Sequence, residues 1–150
     1  MYKDKKVRIG CASAFWGDTS TAAKQLVEKG NLDYLVFDFL AEVTMSILAG
    51  AKNKDPQKGY ATDFIRQISP LLEMIKEDGI KILSNAGGIN PIACQTILED
   101  AVEKAGIDMK IAIVTGDDLT TKLQNLKELG ITEMENGSSI PGSCLSINAY

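Results

Sequence analysis

Short apolar runs alternate with amphipathic stretches along the first half of the chain. The runs Val7 to Ala14, Tyr34 to Leu40 and Ile80 to Ser84 are too compact for helices and predict three strands. The stretches between them repeat apolar residues at helical spacing, and turn residues separate the two kinds of segment. This alternation is typical of a parallel sheet with right-handed crossovers.

The crossovers predict helices with identifiable ends. The first follows the turn Gly17-Asp18-Thr19-Ser20 and stops at Gly30, a residue type common at helix C-termini. A second helix is predicted over residues 41–51, with three apolar side chains directed inward: Val43, Ile47 and Leu48. Residues 62–78 carry a continuous apolar stripe that Pro70 interrupts, which predicts a kink or a new helix with Ser69 as its cap.

The second half of the chain continues the same pattern. Asn90-Pro91 predicts the start of another helix, Lys110 to Thr115 a fourth strand, and Cys144 to Ile147 a fifth. The predicted fold is one α/β domain over residues 1–150, with a parallel sheet of about five strands and helices on both faces in the doubly wound, Rossmann-like manner. The first half of a (β/α) barrel is the alternative, because its strands and helices alternate in the same way.

Composition and charge restrict the partners. The net charge is −4, and 45% of the residues are hydrophobic, as in an ordinary globular domain. An acidic chain provides no basic surface for nucleic acid or for an anionic membrane, so neither is expected as a partner. Three widely spaced cysteines without a CxxC pair indicate reduced thiols, which favours a cytoplasmic location.

The chain contains no histidine. This excludes Ser-His-Asp and Cys-His catalysis from residues of this chain alone, together with histidine-ligated zinc or iron. Any catalysis must use carboxylates, amides, hydroxyls, thiols, lysines, an oxygen-ligated metal or a partner's residues.

Polar residues follow each predicted strand. In a parallel sheet these positions meet at the carboxyl edge, where ligands of α/β folds bind. The residues selected there as candidates for the site are Ser13, Trp16, Asp18, Asp38, Glu42, Asn85, Gly87, Gly88, Asn90 and Asp117.

Asp38 is the strongest catalytic candidate. An acid within Tyr-Leu-Val-Phe-Asp-Phe-Leu is costly to bury unless it is paired, protonated or bound to metal, or accepts hydrogen bonds from backbone amides. Glu42 is either its partner, as acid/base or as a second ligand of a divalent cation such as Mg²⁺ or Mn²⁺, or a first-turn glutamate that the helix dipole favours.

Three further features contribute candidate residues. Asn85-Ala-Gly-Gly-Ile-Asn90 predicts either an anion-binding turn before a helix or a tight structural turn. Of Asp117 and the aspartate after it, one is expected to cap a helix while the other faces the site, where two acids suit a cation or a hydroxyl-bearing substrate. Trp16 is either part of a lid over an apolar substrate or core cover.

Five separated motifs carry a resemblance to a known family. They are Gly10-Cys-Ala-Ser-Ala-Phe-Trp-Gly-Asp18, residues 32–45, residues 59–64, Asn85-Ala-Gly-Gly-Ile-Asn-Pro91 and Gly116-Asp-Asp118. In these the chain resembles the N-terminal portion of the acyclic terpene utilisation (AtuA-type) family, from about Val7 to the last residue. The resemblance implies bacterial breakdown of acyclic terpenes through acyl-CoA intermediates, and it implies that the chain is the N-terminal part of a longer family domain.

The resulting hypothesis is a catabolic enzyme domain that acts on a branched or unsaturated acyl-CoA or carboxylate by lyase or hydration-type chemistry. Its catalytic residues would be Asp38, Glu42 and Asp117. The alternative is a non-catalytic ligand-binding or assembly module that requires a second polypeptide. A small-molecule substrate and a homo-oligomer or completing polypeptide are the expected partners.

Overall fold

A computed structural model describes residues 6–149. Three parallel strands, β1 (Ile9–Ser13), β2 (Tyr34–Phe37) and β3 (Lys81–Ser84), form one sheet in the order β1-β2-β3. The helices are α1 (Ala22–Lys29), α2 (Glu42–Lys54), α3 (Thr62–Ile68), α4 (Leu72–Glu77), α5 (Pro91–Lys104) and α6 (Leu123–Glu128), with 3₁₀ turns at Ser69–Leu71 and Thr120–Lys122. The predicted α/β class and parallel sheet are confirmed. This strand order is shared by the first three strands of a 3-2-1-4-5-6 doubly wound sheet and of a (β/α) barrel.

The core lies on one side of the sheet, so the prediction of helices on both faces is wrong for residues 6–149: on the other face, Ile9 and Leu83 are 60% and 52% exposed. Alternate strand residues such as Leu35 and Phe37 are fully buried because successive side chains in a strand point to opposite faces. They pack with apolar side chains from α1, α3, α4 and α5 in one continuous cluster. Phe37, Phe39 and Phe64 form its aromatic centre, with ring centroids 5.2–6.3 Å apart.

The prediction of about five strands is wrong, because the described residues contain three. Residues 110–115 form no helix and pair with no strand, and Val114 is 94% exposed. Residues 144–147 form no strand either, and the segment is held by an isolated bridge between Asp118 and Asn148. An apolar run indicates a strand only if a neighbouring strand satisfies its backbone hydrogen bonds, and neither segment pairs with the sheet.

Two helix predictions need a correction in detail. A 3₁₀ turn at Ser69–Leu71 interrupts the long helix as Pro70 predicts, but the Ser69 hydroxyl donates to the carbonyl of Ile65 at 2.7 Å and caps nothing. In α2 the buried side chains are Met45, Leu48 and Ala49, whereas Val43 and Ile47 are 70% and 54% exposed. Leu48 is buried as predicted and lies beside the turn at Gly88, whereas Met45 and Ala49 take the buried positions that were predicted for Val43 and Ile47.

No helix within residues 6–149 has both the length and the apolar character that a membrane span requires.

Candidate functional site

The three strand ends bring Ser13, Asp38 and Asn85 together, and these residues are called the strand-end site below. Asp38 directly follows β2, and its backbone N–H donates to the carbonyl of Ser13 at 3.1 Å. The Ser13 hydroxyl donates to the carbonyl of Asp38 at 3.3 Å, so the two residues bond to each other in both directions. From the end of β3, the Asn85 amide donates to Oδ1 of Asp38 at 2.7 Å. The predicted convergence is therefore present for these three candidates.

Asn85 fixes the carboxylate from a rigid position. Its side-chain oxygen accepts the backbone N–H of Phe39 at 2.8 Å, while its amide nitrogen holds Asp38. The same amide therefore bonds to backbone and side chain of the segment that follows β2. Because each of its two ends is bound, Asn85 is a positioning residue for Asp38.

Asp38 is exposed, not enclosed in apolar surroundings as its sequence context indicates. The strand ends one residue earlier at the buried Phe37, so the alternation places the next side chain outward. Its Oδ1 is bound by Asn85, and its Oδ2 accepts no hydrogen bond from the residues that the structure describes. The result is a carboxylate of fixed orientation with one oxygen open to solvent and to a ligand.

Hydrogen bonds within the loop after β1 hold its conformation. Oδ2 of Asp18 accepts the N–H of Ala14 at 2.9 Å, and the Asp18 N–H donates to the carbonyl of Phe15 at 3.2 Å. Trp16 is half-buried against the core cluster, while Phe15 is 56% exposed. Trp16 therefore covers the core, and the exposed ring in this loop is that of Phe15.

A cleft of about 700 Å³ lies beside this loop, between α1 and the α3–α4 segment. Asp18 lines it, as do two cations that sequence reasoning did not select, Lys24 and Arg66. Each cation is paired within its own helix, Lys24 with Glu28 at 3.7 Å and Arg66 with Asp63. No motif marks these residues, because their proximity depends on how α1 packs against α3.

The turn after β3 is packed tightly. Gly88 has a φ of +53°, and a Cβ atom there would lie 2.7 Å from the backbone oxygen of Gly59. The N–H groups of Gly88, Ile89 and Asn90 donate to backbone carbonyls, including that of Gly87. These three amides are therefore occupied within the protein, as in a structural turn.

Asn90 joins this turn to the loop after α2. Its side-chain amide donates to the carbonyls of Pro56 at 2.8 Å and Lys58 at 2.7 Å. The side chain makes no capping bond to α5, although the helix begins at the next residue, Pro91, as predicted. Through these hydrogen bonds, Asn90 links the turn after β3 to the loop after α2.

Glu42 is the exposed first residue of α2. It takes part in none of the side-chain hydrogen bonds or ion pairs within residues 6–149, and a first-turn acid interacts favourably with the helix dipole. The described part of the chain contains no group of three or more His, Cys, Asp or Glu side chains arranged to hold a metal.

Asp117 lies in a separate polar cluster. Its Oδ2 accepts the side-chain amide of Asn148 at 2.8 Å, and its carbonyl accepts the N–H of Ala149. The neighbouring Asp118 accepts the N–H of Thr120, and hydrogen bonds from the Thr120 side chain and backbone lower the pKa of this carboxyl. Asp118 thus bonds to the first residue of the 3₁₀ turn, whereas Asp117 bonds to Asn148 and does not face the strand-end site, contrary to the prediction. The hydrogen bonds do not connect Asp117 to the strand-end site.

A second cleft, of about 470 Å³, separates this cluster from α2. Asp118 and Asn148 line one side, while Lys52 of α2 and Ile89 of the glycine turn line the other. The Lys52 ammonium donates to the carbonyl of Ile89 at 2.7 Å. This cleft brings residues after 117 near the glycine turn, although they belong to no strand of the sheet.

The chain was compared with protein-family models, curated proteins and solved structures. A family model described as "Acyclic terpene utilisation family protein AtuA" matches residues 7–150, which is nearly the whole chain. No curated protein and no solved structure matches the chain. The matched range contains all three residues of the strand-end site and all five motifs on which the resemblance rests.

Proposed function

The chain belongs to the acyclic terpene utilisation family AtuA, and on this premise we propose that its strand-end site binds a branched or unsaturated acyl-CoA or carboxylate formed during the breakdown of acyclic terpenes. The proposed chemistry is of the lyase or hydration type, with Asp38 as the general base. The single observation that supports this assignment most is the fixed, outward-facing carboxylate of Asp38.

A general base needs a fixed orientation and an open oxygen. Asn85 supplies the orientation by binding Oδ1, and the backbone bonds to Ser13 hold the chain on which the carboxylate is carried. The open Oδ2 is the atom that would accept a proton from a water molecule. Positioned acid–base groups contribute about 10²–10⁴-fold to rate.

In the hydration direction, the water oxygen forms a bond to the β-carbon of an α,β-unsaturated acyl group while Asp38 takes the water proton. The α-carbon then takes a proton from a second acid, and elimination follows the reverse course. Glu42 is the proposed second acid, because it begins α2 four residues after Asp38 and is exposed. Asp117 would contact the substrate only if the substrate reaches from the strand-end site to Asn148, to which Asp117 is bonded.

A divalent cation is an alternative use of the same carboxylates. Mg²⁺ often binds through one or two carboxylates and keeps several waters, so in this alternative Asp38 and Glu42 would be its protein ligands. In that case the metal would polarise the substrate carbonyl, and Asp38 would act as a ligand instead of a base. Thermal unfolding with and without Mg²⁺ or Mn²⁺ separates the two roles, because a ligand role predicts a metal-dependent shift that Asp38→Asn abolishes.

The test of the proposed reaction is hydration of α,β-unsaturated branched acyl-CoAs by the wild type and two variants. Asp38→Asn keeps the shape and the acceptor oxygen for Asn85 but removes the base, and should lower the rate about 10²–10⁴-fold. Asp100→Asn is the matched control, because Asp100 is an exposed aspartate on α5, away from the strand ends. Equal rates in the wild type and Asp38→Asn would refute the role of Asp38.

The second candidate is a non-catalytic ligand-binding or assembly module. The observation that favours it is the uncovered second face of the sheet, where Ile9 and Leu83 are 60% and 52% exposed. In that case the wild type and the Asp100→Asn control would both bind an acyl-CoA, and neither would convert it to a product. Binding and turnover should therefore be measured on the same preparations.

A further inference from the structure

One face of the parallel sheet is apolar and uncovered. The pairing register aligns Ile9 with Tyr34 and Lys81, and Cys11 with Val36 and Leu83, so these six side chains share one face. This set is called the open face below. Its members are exposed or half-buried, with Ile9 60% and Leu83 52% exposed, while the alternate residues on the other face, such as Leu35, are buried.

An uncovered face is unusual for this kind of sheet. All-parallel sheets occur almost only where both faces are covered, because their crossovers place helices there. In this chain α1, α3, α4 and α5 contribute to the core cluster on the buried side. The open face therefore has the composition of an interior surface and the exposure of an exterior one, which marks an interaction surface.

Charge distinguishes the possible occupants. Lys81 is the only charged residue of the open face, and its ammonium lies 5.6 Å from the centroid of the Tyr34 ring. The six residues include no carboxylate. A second copy stacked face to face would bring two such cations into one apolar layer without an acid, an arrangement that is costly when charges lose water. An occupant that carries an acidic side chain beside an apolar stripe matches this surface.

Dimensions favour a helix. Three strands about 4.8 Å apart, each four or five residues long, present a surface of roughly 14 by 15 Å. One α-helix about 10 Å in diameter, lying along the strands, covers most of that width. We propose that an amphipathic α-helix of a second polypeptide packs on the open face, with its apolar stripe against Ile9, Val36 and Leu83 and an acidic residue at Lys81.

Cys11 reports directly on this contact. It is an exposed thiol on the open face, whereas Cys94 is buried and burial raises its pKa to about 11. Cys144 is half-buried, and Cys144→Ser removes it as a competing thiol. In that variant, the rate of modification by a thiol reagent measures the accessibility of the open face.

The probe is a synthetic amphipathic helix of about 18 residues, or five turns, with leucines at i, i+3, i+4 and i+7 and glutamates on the flanks. A peptide of the same composition in scrambled order is the control. At about ten times its dissociation constant, the helix should slow modification of Cys11 about tenfold, and the scrambled peptide should not. Lys81→Glu should weaken this protection, and a peptide with lysines in place of the glutamates should restore it.

Two results would overturn the proposal. Equal modification rates with the helical and the scrambled peptide would show that the open face binds no amphipathic helix. A dimer in sedimentation velocity, with Cys11 already protected in the chain alone, would assign the open face to a second copy. Neither result depends on the chemistry at Asp38. Modification of Cys11 reports on the open face, and the hydration rate reports on the strand-end site.

Discussion

The substitution Gly88→Ala tests the turn that connects β3 to α5. Gly88 has a φ of +53°, in the left-handed region that side chains rarely adopt. A Cβ atom would lie 2.5 Å from Cδ1 of Leu48 and 2.7 Å from the backbone oxygen of Gly59. The leucine side chain has some freedom to move, but the carbonyl of Gly59 is held by the N–H of Ile89 at 3.0 Å. The alanine methyl therefore displaces backbone.

The expected loss follows from three contributions. The left-handed conformation costs a non-glycine residue about 1–2 kcal/mol. Overpacking against a fixed neighbour costs about 1–3 kcal/mol. Alanine reduces the entropy of the unfolded chain and recovers about 0.4–1 kcal/mol. The free energy of unfolding should fall by about 2–4 kcal/mol, and the melting temperature by roughly 5–15 °C for a domain of this size.

Gly79→Ala is the matched control, because Gly79 has a φ of +66° and no atom within 4 Å of the position that a Cβ would occupy. Gly79→Ala introduces the conformational cost without the packing cost, so its free energy of unfolding should fall by about 1 kcal/mol. Urea unfolding should give different midpoints for the two variants at an unchanged slope. Equal losses in both variants would refute the packing argument and reopen this turn to a role in binding anions.

Three other outcomes are expected. Asn85→Ala removes the amide that links the ends of β2 and β3, and urea unfolding should show a loss of about 1–3 kcal/mol; an unchanged midpoint would contradict the positioning role. Burial raises the pKa of Cys94 to about 11, so near pH 8 a thiol reagent should modify the exposed Cys11 before Cys94. Mass spectrometry gives the order of modification, and modification of Cys94 first would be inconsistent with the fold. Hydrogen bonds from Thr120 lower the pKa of Asp118, so this carboxylate stabilises the fold above its unfolded pKa and loses that effect as pH falls through its folded pKa. Asp118→Asn should therefore destabilise near neutral pH and match the wild type at strongly acidic pH, and a pH-independent difference in urea midpoints would argue against it.

The sequence predicts the local structure of the first hundred residues well. Apolar periodicity places the first three strands, and Pro70 and Gly30 mark real interruptions, because these signals act within a few residues. It fails at residues 110–115, where an apolar run has strand composition but no pairing partner among the described residues. Sheet pairing depends on chain that is distant in sequence, and one segment does not contain that information.

For the candidate site, too, the sequence predicts some features and misses others. The convergence of Ser13, Asp38 and Asn85 is predicted, because parallel strands end at one edge. The exposure of Asp38 is not, since its apolar neighbours indicate burial while the end of β2 at Phe37 determines the direction of its side chain. Lys24 and Arg66 were missed for a related reason, because only helix packing brings them to one cleft.

Thermal unfolding of the purified protein with a panel of branched and unsaturated acyl-CoAs tests the central claim most directly. A ligand at about 100 times its dissociation constant adds about 2.7 kcal/mol of stability, which is a shift of roughly 5–11 °C for a domain of this size. We expect such a shift in the wild type and in Asp100→Asn, and a much smaller one in Asp38→Trp, because a tryptophan at this exposed position would cover the strand-end site. A shift of the same size in all three proteins would place the ligand away from Asp38 and contradict the assignment of the strand-end site.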